Sequence, residues 1–189
     1  FVLKGPQFGS AHQITGQTLA TLVRERVSTG APCISMRSVI VTPNDIFWAS
    51  RRGFHSLVAT QKYGDTEEIF LSRQVQKKFN TLADNRLNQI VGFYHPSRNI
   101  IGWTVPEGGQ TQNTLVMVYN IVQGKWAFWD FDDDVSACQV MYDPSTKKPR
   151  LYLGGYDGFV REGDQSTLTD DNSQAYTATI RTPVHIKLP

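Results

Sequence analysis

Two stretches of the chain repeat the same order of short strands and tight turns. The first is FWASRRGFHSL, residues 47–57, and the second is LYLGGYDGFVREGD, residues 151–164. Each reads as an apolar strand, a few small and polar residues, Gly-Phe and a second short strand. Gly53 and Gly158 lie 105 residues apart, which is two periods of about 52. A third unit of the same kind, residues 89–130, fills the space between them.

A repeat of roughly 50 residues with four short strands in each unit is the spacing of propeller blades of the kelch type. We therefore predict an all-β fold in which residues 1–189 form one region, a partial β-propeller of about three four-stranded blades. A β-sandwich is the alternative for many short antiparallel strands. Propellers have about 4–8 blades, and the sequence opens in FVLKGPQFGS without Met. We therefore expect the chain to be an excerpt of a longer polypeptide.

One segment breaks the β pattern. Val75, Phe79 and Leu82 are spaced i, i+4 and i+7, which predicts a short inserted helix at about residues 72–83. Elsewhere, runs of β-branched and aromatic residues alternate with turns that contain Gly, Pro, Asn and Asp. The predicted strands are residues 1–8, 35–41, 46–49, 55–58, 88–94, 100–105, 114–120, 125–131, 137–142, 151–153, 158–161 and 175–180.

The sequence lacks the familiar motifs for catalysis and metal binding. The four histidines have none of the spacings typical of zinc sites, and there is no phosphate-binding loop, nucleophile elbow or dinucleotide fingerprint. Cys33 and Cys138 lie far apart in strand-like contexts, and we interpret both as small buried hydrophobic residues. We therefore predict a protein that is not an enzyme, with no catalytic residue, no metal and no cofactor.

The densest cluster of carboxylates is the DFDDD segment, with Asp130, Asp132, Asp133 and Asp134. Calcium binds such oxygen ligands, but the glycine and the terminal glutamate of an EF-hand loop are absent from this segment. A solvated acidic loop is therefore favoured, and a metal at Asp130–Asp134 is left open.

Basic residues are concentrated in the first half of the chain. Residues 1–98 contain 12 Lys and Arg against 6 Asp and Glu, whereas residues 99–189 contain 7 against 11. This asymmetry suits a face directed toward a polyanion, or two subunits that meet head to tail, and an ordinary solvated surface is the alternative. No apolar run approaches the ~20 residues of a membrane helix, so we predict no membrane span. The candidate contacts to a nucleic-acid backbone are Arg51, Arg52, Arg73, Lys77 and Lys78.

Four aromatic residues stand beside polar turns: Trp103, Trp126, Trp129 and Tyr156. In a sugar-binding protein they would serve as stacking platforms. Filling of the core by alternate strand residues is the favoured interpretation.

The order of these turns resembles that of a known family. The carrying segments are YNIVQGKW at residues 119–126, GGYDGFVREGD at residues 154–164 and the late Thr182-Pro183. They resemble the propeller region of the tail nozzle, or packaged-DNA stabilisation (neck), proteins of short-tailed bacteriophages. The resemblance covers nearly the whole chain and rests on turn residues, although family members are several times longer.

The resemblance implies a structural protein of the virion tail. Such a protein would form a homo-oligomer, a hexameric ring, that continues the DNA channel below the adaptor and retains the packaged genome until ejection. Its partners would be the tail adaptor, other tail or fibre proteins and the viral double-stranded DNA, bound without sequence preference. The resemblance supplies no catalytic residue.

Two other functions are compatible with a propeller. A carbohydrate- or host-receptor-binding protein predicts exposed Trp and Tyr clustered in one groove. A glycosidase is less favoured because it needs two carboxylates about 5–10 Å apart in a pocket. The Asp-box turns of sialidases are only approached, at residues 50–53 and 155–158.

Overall fold

The computed structural model describes residues 2–4, 10–15, 23–27, 31–57, 71–131, 133–163, 170–171 and 174–175. Strands dominate these residues, and every strand pair is antiparallel. The fold is therefore mostly β, as the sequence predicted. No helix in the described part of the chain is long and apolar enough to cross a membrane.

Three successive meanders form the central part of the chain. Sheet I contains β4 (Ile40–Val41), β5 (Ile46–Ser50) and β6 (Gly53–Ser56). Sheet II contains β7 (Val91–His95), β8 (Ile100–Val105), β9 (Leu115–Asn120) and β10 (Lys125–Asp130). Sheet III contains β11 (Val135–Tyr142), β12 (Pro149–Gly155) and β13 (Val160–Glu162).

Two smaller sheets lie near the ends of the sequence. The first joins β1 (Val2–Lys4), β2 (Ser10–Thr15) and β3 (Val23–Val27) in another three-stranded meander. The second pairs β14 (Asp170–Asp171) with β15 (Gln174–Ala175). Most of the predicted strands at residues 1–8 and 175–180 therefore lie outside the described residues.

The inner strands of sheet II are buried on both faces because their side chains alternate between two cores. Side chains at odd positions of β8, such as Trp103, point toward sheet I, where the Trp103 ring stacks on Phe54 at 4.1 Å between centroids. On the other face, Phe93 packs in a cluster with Leu151 and Leu153 of sheet III. All six residues of β8 are buried, which matches the unbroken apolar character of a strand covered on both sides.

The first strands of the three meanders adjoin. β7 lies against β4 on one side and against β11 on the other. A Cβ added at Gly92 would lie 2.6 Å from Cγ1 of Ile40, so glycine permits the close approach of β7 to β4. The Cys138 thiol points at the Val91 carbonyl oxygen of β7, 3.8 Å away. The described sheets do not close into a ring.

The predicted helix at residues 72–83 is shorter than expected. A 3-10 helix, Leu71–Val75, runs into a single α-helical turn, α1 (Gln76–Phe79), and the chain then turns. The helix ends there because the backbone pairs elsewhere: Ala83 N–H donates to the Pro106 carbonyl at 2.9 Å. Val75, Phe79 and Leu82 are all buried in one cluster, as their spacing predicted.

The strand predicted at residues 35–41 is wrong for most of its length. Residues Met36–Ser38 form a 3-10 helix, and only β4 is extended. The Ser38 hydroxyl donates to the Ser35 carbonyl at 2.6 Å, and the Ser35 hydroxyl donates to the Ile90 carbonyl at 2.8 Å. Serine side chains that bond to nearby backbone compete with a strand ladder, which explains the turn.

The remaining predicted strands of the central region are present with shifted ends. The segment predicted at 88–94 begins later, because Asp84–Gln89 form a 3-10 helix before β7. The strands predicted at 55–58 and 158–161 are observed as β6 and β13. The other five correspond to β5, β8, β9, β10 and β11, and the run at 151–153 lies inside β12.

Candidate polyanion-binding surface

The five predicted basic contacts lie on two neighbouring elements. Arg51 and Arg52 form the turn between β5 and β6, and the other three lie on the helical segment 71–79. Two hydrogen bonds join these elements. Phe54 N–H donates to the Ser72 hydroxyl at 3.2 Å, and the Gln76 amide donates to the Arg52 carbonyl at 3.0 Å. The structure thus brings residues that are up to 27 positions apart onto one part of the surface, which we call the basic surface: Arg51, Arg52, Arg73, Lys77 and Lys78.

Two members of the basic surface are neutralised by carboxylates. Arg51 pairs with Asp84 at 3.0 Å, with both side chains largely exposed. Lys78 pairs with Glu107 in the β8–β9 loop. The hydrogen bond from Lys78 holds the pKa of Glu107 below its ordinary value. An exposed pair such as Arg51–Asp84 contributes about 0–1 kcal/mol to stability, so Arg51 can exchange this partner for a polyanion, whereas the Lys78–Glu107 pair is part-buried.

Arg73 and Lys77 carry the uncompensated charge. Both are exposed, and they lie one helical turn apart on the segment 71–79. Within the described residues neither pairs with a carboxylate. If the basic surface binds an anion, these two residues are expected to contribute most to the attraction.

Asp133 of the acidic segment takes part in an ion-pair cluster with Arg161. The Arg161 guanidinium lies 3.1 Å from Asp133 and also pairs with Asp157 at 2.6 Å. Burial, helped by Asp133, raises the pKa of Asp134. Asp130 is exposed at the end of β10, and Asp132 lies outside the described residues. Among the side chains that the structure describes, no three His, Cys, Asp or Glu residues come together to hold a metal.

A buried Ser–His pair escaped sequence reasoning. The Ser50 hydroxyl and Nε2 of His55 are 2.7 Å apart, and the imidazole stacks on Trp48 at 5.5 Å. Burial, with a smaller effect of Arg52, lowers the pKa of His55 to about 4. Ser50 is 0% and His55 1% exposed, so no substrate reaches them in this conformation. The only sequence signal was a polar residue on each strand of a hairpin whose strands are rich in aromatic residues.

The aromatic residues divide between core and surface. Trp103 is fully buried, and its indole N–H donates to the Ser38 carbonyl at 2.8 Å. Trp126 and Trp129 are half-buried against the two cores. Core filling is thus confirmed for Trp103, and of these four residues only Tyr156 is an exposed platform.

The two cysteines differ in burial. Cys138 is buried between sheets II and III, and burial raises its pKa to about 12. Cys33 is half-buried, and burial raises its pKa as well. The prediction of a buried hydrophobic role is confirmed for Cys138 and holds only in part for Cys33.

No protein-family model matches the chain, and a search of curated proteins finds no significant match. The resemblance to phage tail proteins therefore rests on the turn residues quoted above.

Proposed function

We propose that this chain is part of a structural protein of a phage tail, a segment of the nozzle or neck ring that continues the DNA channel and retains the packaged genome. The role is mechanical and non-catalytic, and its site is the virion tail. Its partners are further copies of itself in a ring, which the resemblance makes hexameric, the tail adaptor and neighbouring tail or fibre proteins, and viral DNA.

The stacking of the three meanders supports a propeller as the architecture. In a propeller, each blade is an antiparallel meander, and the first strands of successive blades lie side by side around the axis. Here β7 lies between β4 and β11, the first strands of its neighbouring sheets. Sheet II provides four strands, and sheets I and III provide three each among the described residues. Further blades would complete the ring.

The basic surface is the observation that carries the proposal. Five Lys and Arg residues lie on two adjoining elements, and Arg73 and Lys77 have no carboxylate partner in the described residues. Lys and Arg that contact phosphates attract DNA of any sequence and release counterions. A channel that transports a whole genome requires attraction of this sequence-independent kind.

A neutralisation experiment tests the proposal. Arg51, Arg52, Arg73, Lys77 and Lys78 are changed together to Gln, and binding of a 30-base-pair duplex is measured over a range of salt concentrations. We expect weaker binding and a shallower salt dependence, by about 0.9 in logarithmic slope for each phosphate that the protein no longer neutralises. In phage particles that carry the variant, we expect the packaged genome to be released prematurely.

The matched control is a pair of exposed lysines on the β11–β12 turn, changed as Lys147→Asn and Lys148→Gln. Asn is chosen at position 147 because Lys147 has a φ of 56°, a left-handed conformation that Asn tolerates. An equal loss of DNA binding in the control would assign the effect to net charge. Genome retention that is unchanged in the five-residue variant would contradict the DNA role.

The exposed rings of Tyr156 and Phe159 favour a second candidate, a carbohydrate-binding propeller. They stand 43% and 67% exposed at the β12–β13 turn, beside the Asp157–Arg161 pair. Aromatic rings next to polar groups are suited to stacking on sugars. Binding to a glycan array that is abolished in Tyr156→Ala and Phe159→Ala would favour this function over the first.

A further inference from the structure

Within the part of the chain that the structure describes, strand β10 is an edge of sheet II. It pairs with β9 in an unbroken register from Lys125 to Asp130, and no described strand lies along its other side. Its interior residues, WAFW, contain no charge, no proline and no bulge. Proteins usually protect an edge strand with a charged residue, a proline or a bulge, or by making the strand short. The interior of β10 has none of these protections. By contrast β13, the edge of sheet III, has only three residues.

The side chains of β10 are also partly uncovered. Ala127 is exposed, and Phe128 is 46% exposed although it lies on the face that contributes Met117 to the core. An edge with free main-chain donors and acceptors and with exposed aromatic rings is suited to the addition of another strand. An exposed apolar patch on a protein surface often marks a site where a partner binds.

We propose that this edge binds the β10 strand of a second copy of the chain, antiparallel and related by a two-fold axis through Ala127. Such an axis is perpendicular to the sheet, so each face of one copy continues as the same face of the other. Opposed residues must therefore both lie at even positions or both at odd positions. An eight-stranded sheet across the two copies results.

The side chains favour a two-fold axis at Ala127 over a two-fold axis at the next residue, Phe128. With the axis at Ala127, Trp126 faces Phe128 of the second copy, and Lys125 faces Trp129 of the second copy. Each contact occurs twice, and both the aromatic pair and the cation on an indole are favourable cross-strand partners. With the axis at Phe128, Trp126 would instead face Asp130 of the second copy.

The contact is independent of the proposed ring. A two-fold contact is isologous and joins two copies, whereas a ring is built from head-to-tail contacts through other surfaces. The β10 pairing would thus double the mass of whatever particle the chain otherwise forms.

The test uses charge at the axis, where the same residue of both copies meets. Particle mass is measured by sedimentation for the wild type, Ala127→Lys, Ala127→Glu and an equimolar mixture of the two variants. We expect each variant alone to have half the mass of the wild-type particle, because like charges oppose each other directly. The mixture should recover the wild-type mass, because Lys then faces Glu. Ala127 is exposed, so neither change disturbs the core, and thermal unfolding of each variant verifies this.

Val122→Lys is the control, since Val122 is 75% exposed in the β9–β10 turn and lies outside the strand. It should leave the mass unchanged. A wild-type particle that is never a multiple of two copies, or single variants that keep the wild-type mass, would overturn the proposal. Binding of a synthetic peptide of residues 123–131 by a wild-type protein that does not pair with itself would assign the edge to an extended peptide instead.

Discussion

The Ser50–His55 pair couples stability to pH at the scale of a single residue. An unfolded histidine takes up a proton near its ordinary pKa of about 6.5, whereas burial lowers the pKa of the folded His55 to about 4. The unfolded state therefore binds more protons between these values, and the free energy of unfolding falls as pH falls through that window. The loss is at most roughly 3 kcal/mol.

Urea unfolding of the wild type and of His55→Gln at pH 7, 5.5 and 4.5 measures this effect. Gln does not titrate and can still accept a hydrogen bond from Ser50. We expect the wild type to lose stability faster than the variant as the pH is lowered. Parallel pH profiles of the two proteins would show that His55 keeps its ordinary pKa.

Sequence reasoning recognised the turn at this site but missed the burial of the strands that flank it. The Ser50-Arg-Arg-Gly53 segment was correctly interpreted as a turn between two strands. All five residues of β5 are buried, however, on both faces of the sheet. Coverage of a second face depends on residues distant in sequence, so local alternation does not reveal it.

Two glycines in equivalent strands show, at the scale of elements, which sheet faces are covered. Gly102 and Gly154 both lie in the second strand of a meander. A Cβ at Gly102 would lie 2.5 Å from ring atoms of Phe93, which is enclosed between sheets II and III. A Cβ at Gly154 would meet only Ala137 and Ser136, the nearer at an ordinary 3.6 Å. The outer face of sheet III therefore has room that the inner face of sheet II lacks.

We predict that Gly102→Ala lowers the free energy of unfolding by about 1–3 kcal/mol, because the core must shift to admit the methyl group. Gly154→Ala should change it by less than about 1 kcal/mol, in the stabilising direction, since it reduces the freedom of the unfolded chain. Chemical denaturation of the two variants measures the difference. Equal costs would mean that another segment covers Gly154.

The errors in the predicted elements have a common cause. The periodicity at Val75, Phe79 and Leu82 correctly identified the buried face of the helical segment. It did not identify the end of the helix, which depends on the bond from Ala83 to Pro106. Likewise, the bonds of Ser35 and Ser38 replaced a strand by a 3-10 turn. Hydrogen bonds to backbone outside the predicted element, from Ala83 to Pro106 and from Ser35 to Ile90, override local propensity in both cases. The local bond from Ser38 to Ser35 adds to the second case.

Sheets II and III share one core, which matters at the scale of the whole molecule. Cys138 lies in that core at 6% exposure, and its thiol has a pKa of about 12. We predict that it reacts with a thiol reagent only when the molecule unfolds as a whole, because a protonated, buried thiol is inert. Reaction rates measured on Cys33→Ser, which leaves Cys138 as the single thiol, would test this.

The rate of Cys138 should rise with urea in step with global unfolding. Cys33, half-buried beside Ser35, should react faster in the matched Cys138→Ala variant. Reaction of the Cys138 thiol in the native protein at a rate well above the rate of global unfolding would contradict this prediction. That result would mean that sheet III detaches by itself.

The period of about 52 residues predicted a succession of meanders. It did not predict the number of strands in each sheet or the ion pairs between residues distant in sequence. Lys78 and Glu107 are 29 residues apart, and the short hydrogen bond between them joins the helical segment to the β8–β9 loop. No sequence spacing announces such a pair. Composition therefore suggested a basic face, and only the structure separates Arg73 and Lys77 from the neutralised cations.

The stacked rings between sheets I and II also have an electronic consequence. Trp103 lies 4.1 Å from Phe54 and 6.0 Å from Trp126, and Phe54 lies 5.6 Å from Trp126, so the three rings form one cluster with planes within about 31° of parallel. At this separation, the excited states of the two indoles couple, and the rigid surroundings fix the sign of that coupling. Phe54 is the member of this cluster that belongs to sheet I. Separation of sheet I from sheet II would therefore remove one wall of the indole pair and change its near-ultraviolet circular dichroism, without any added label.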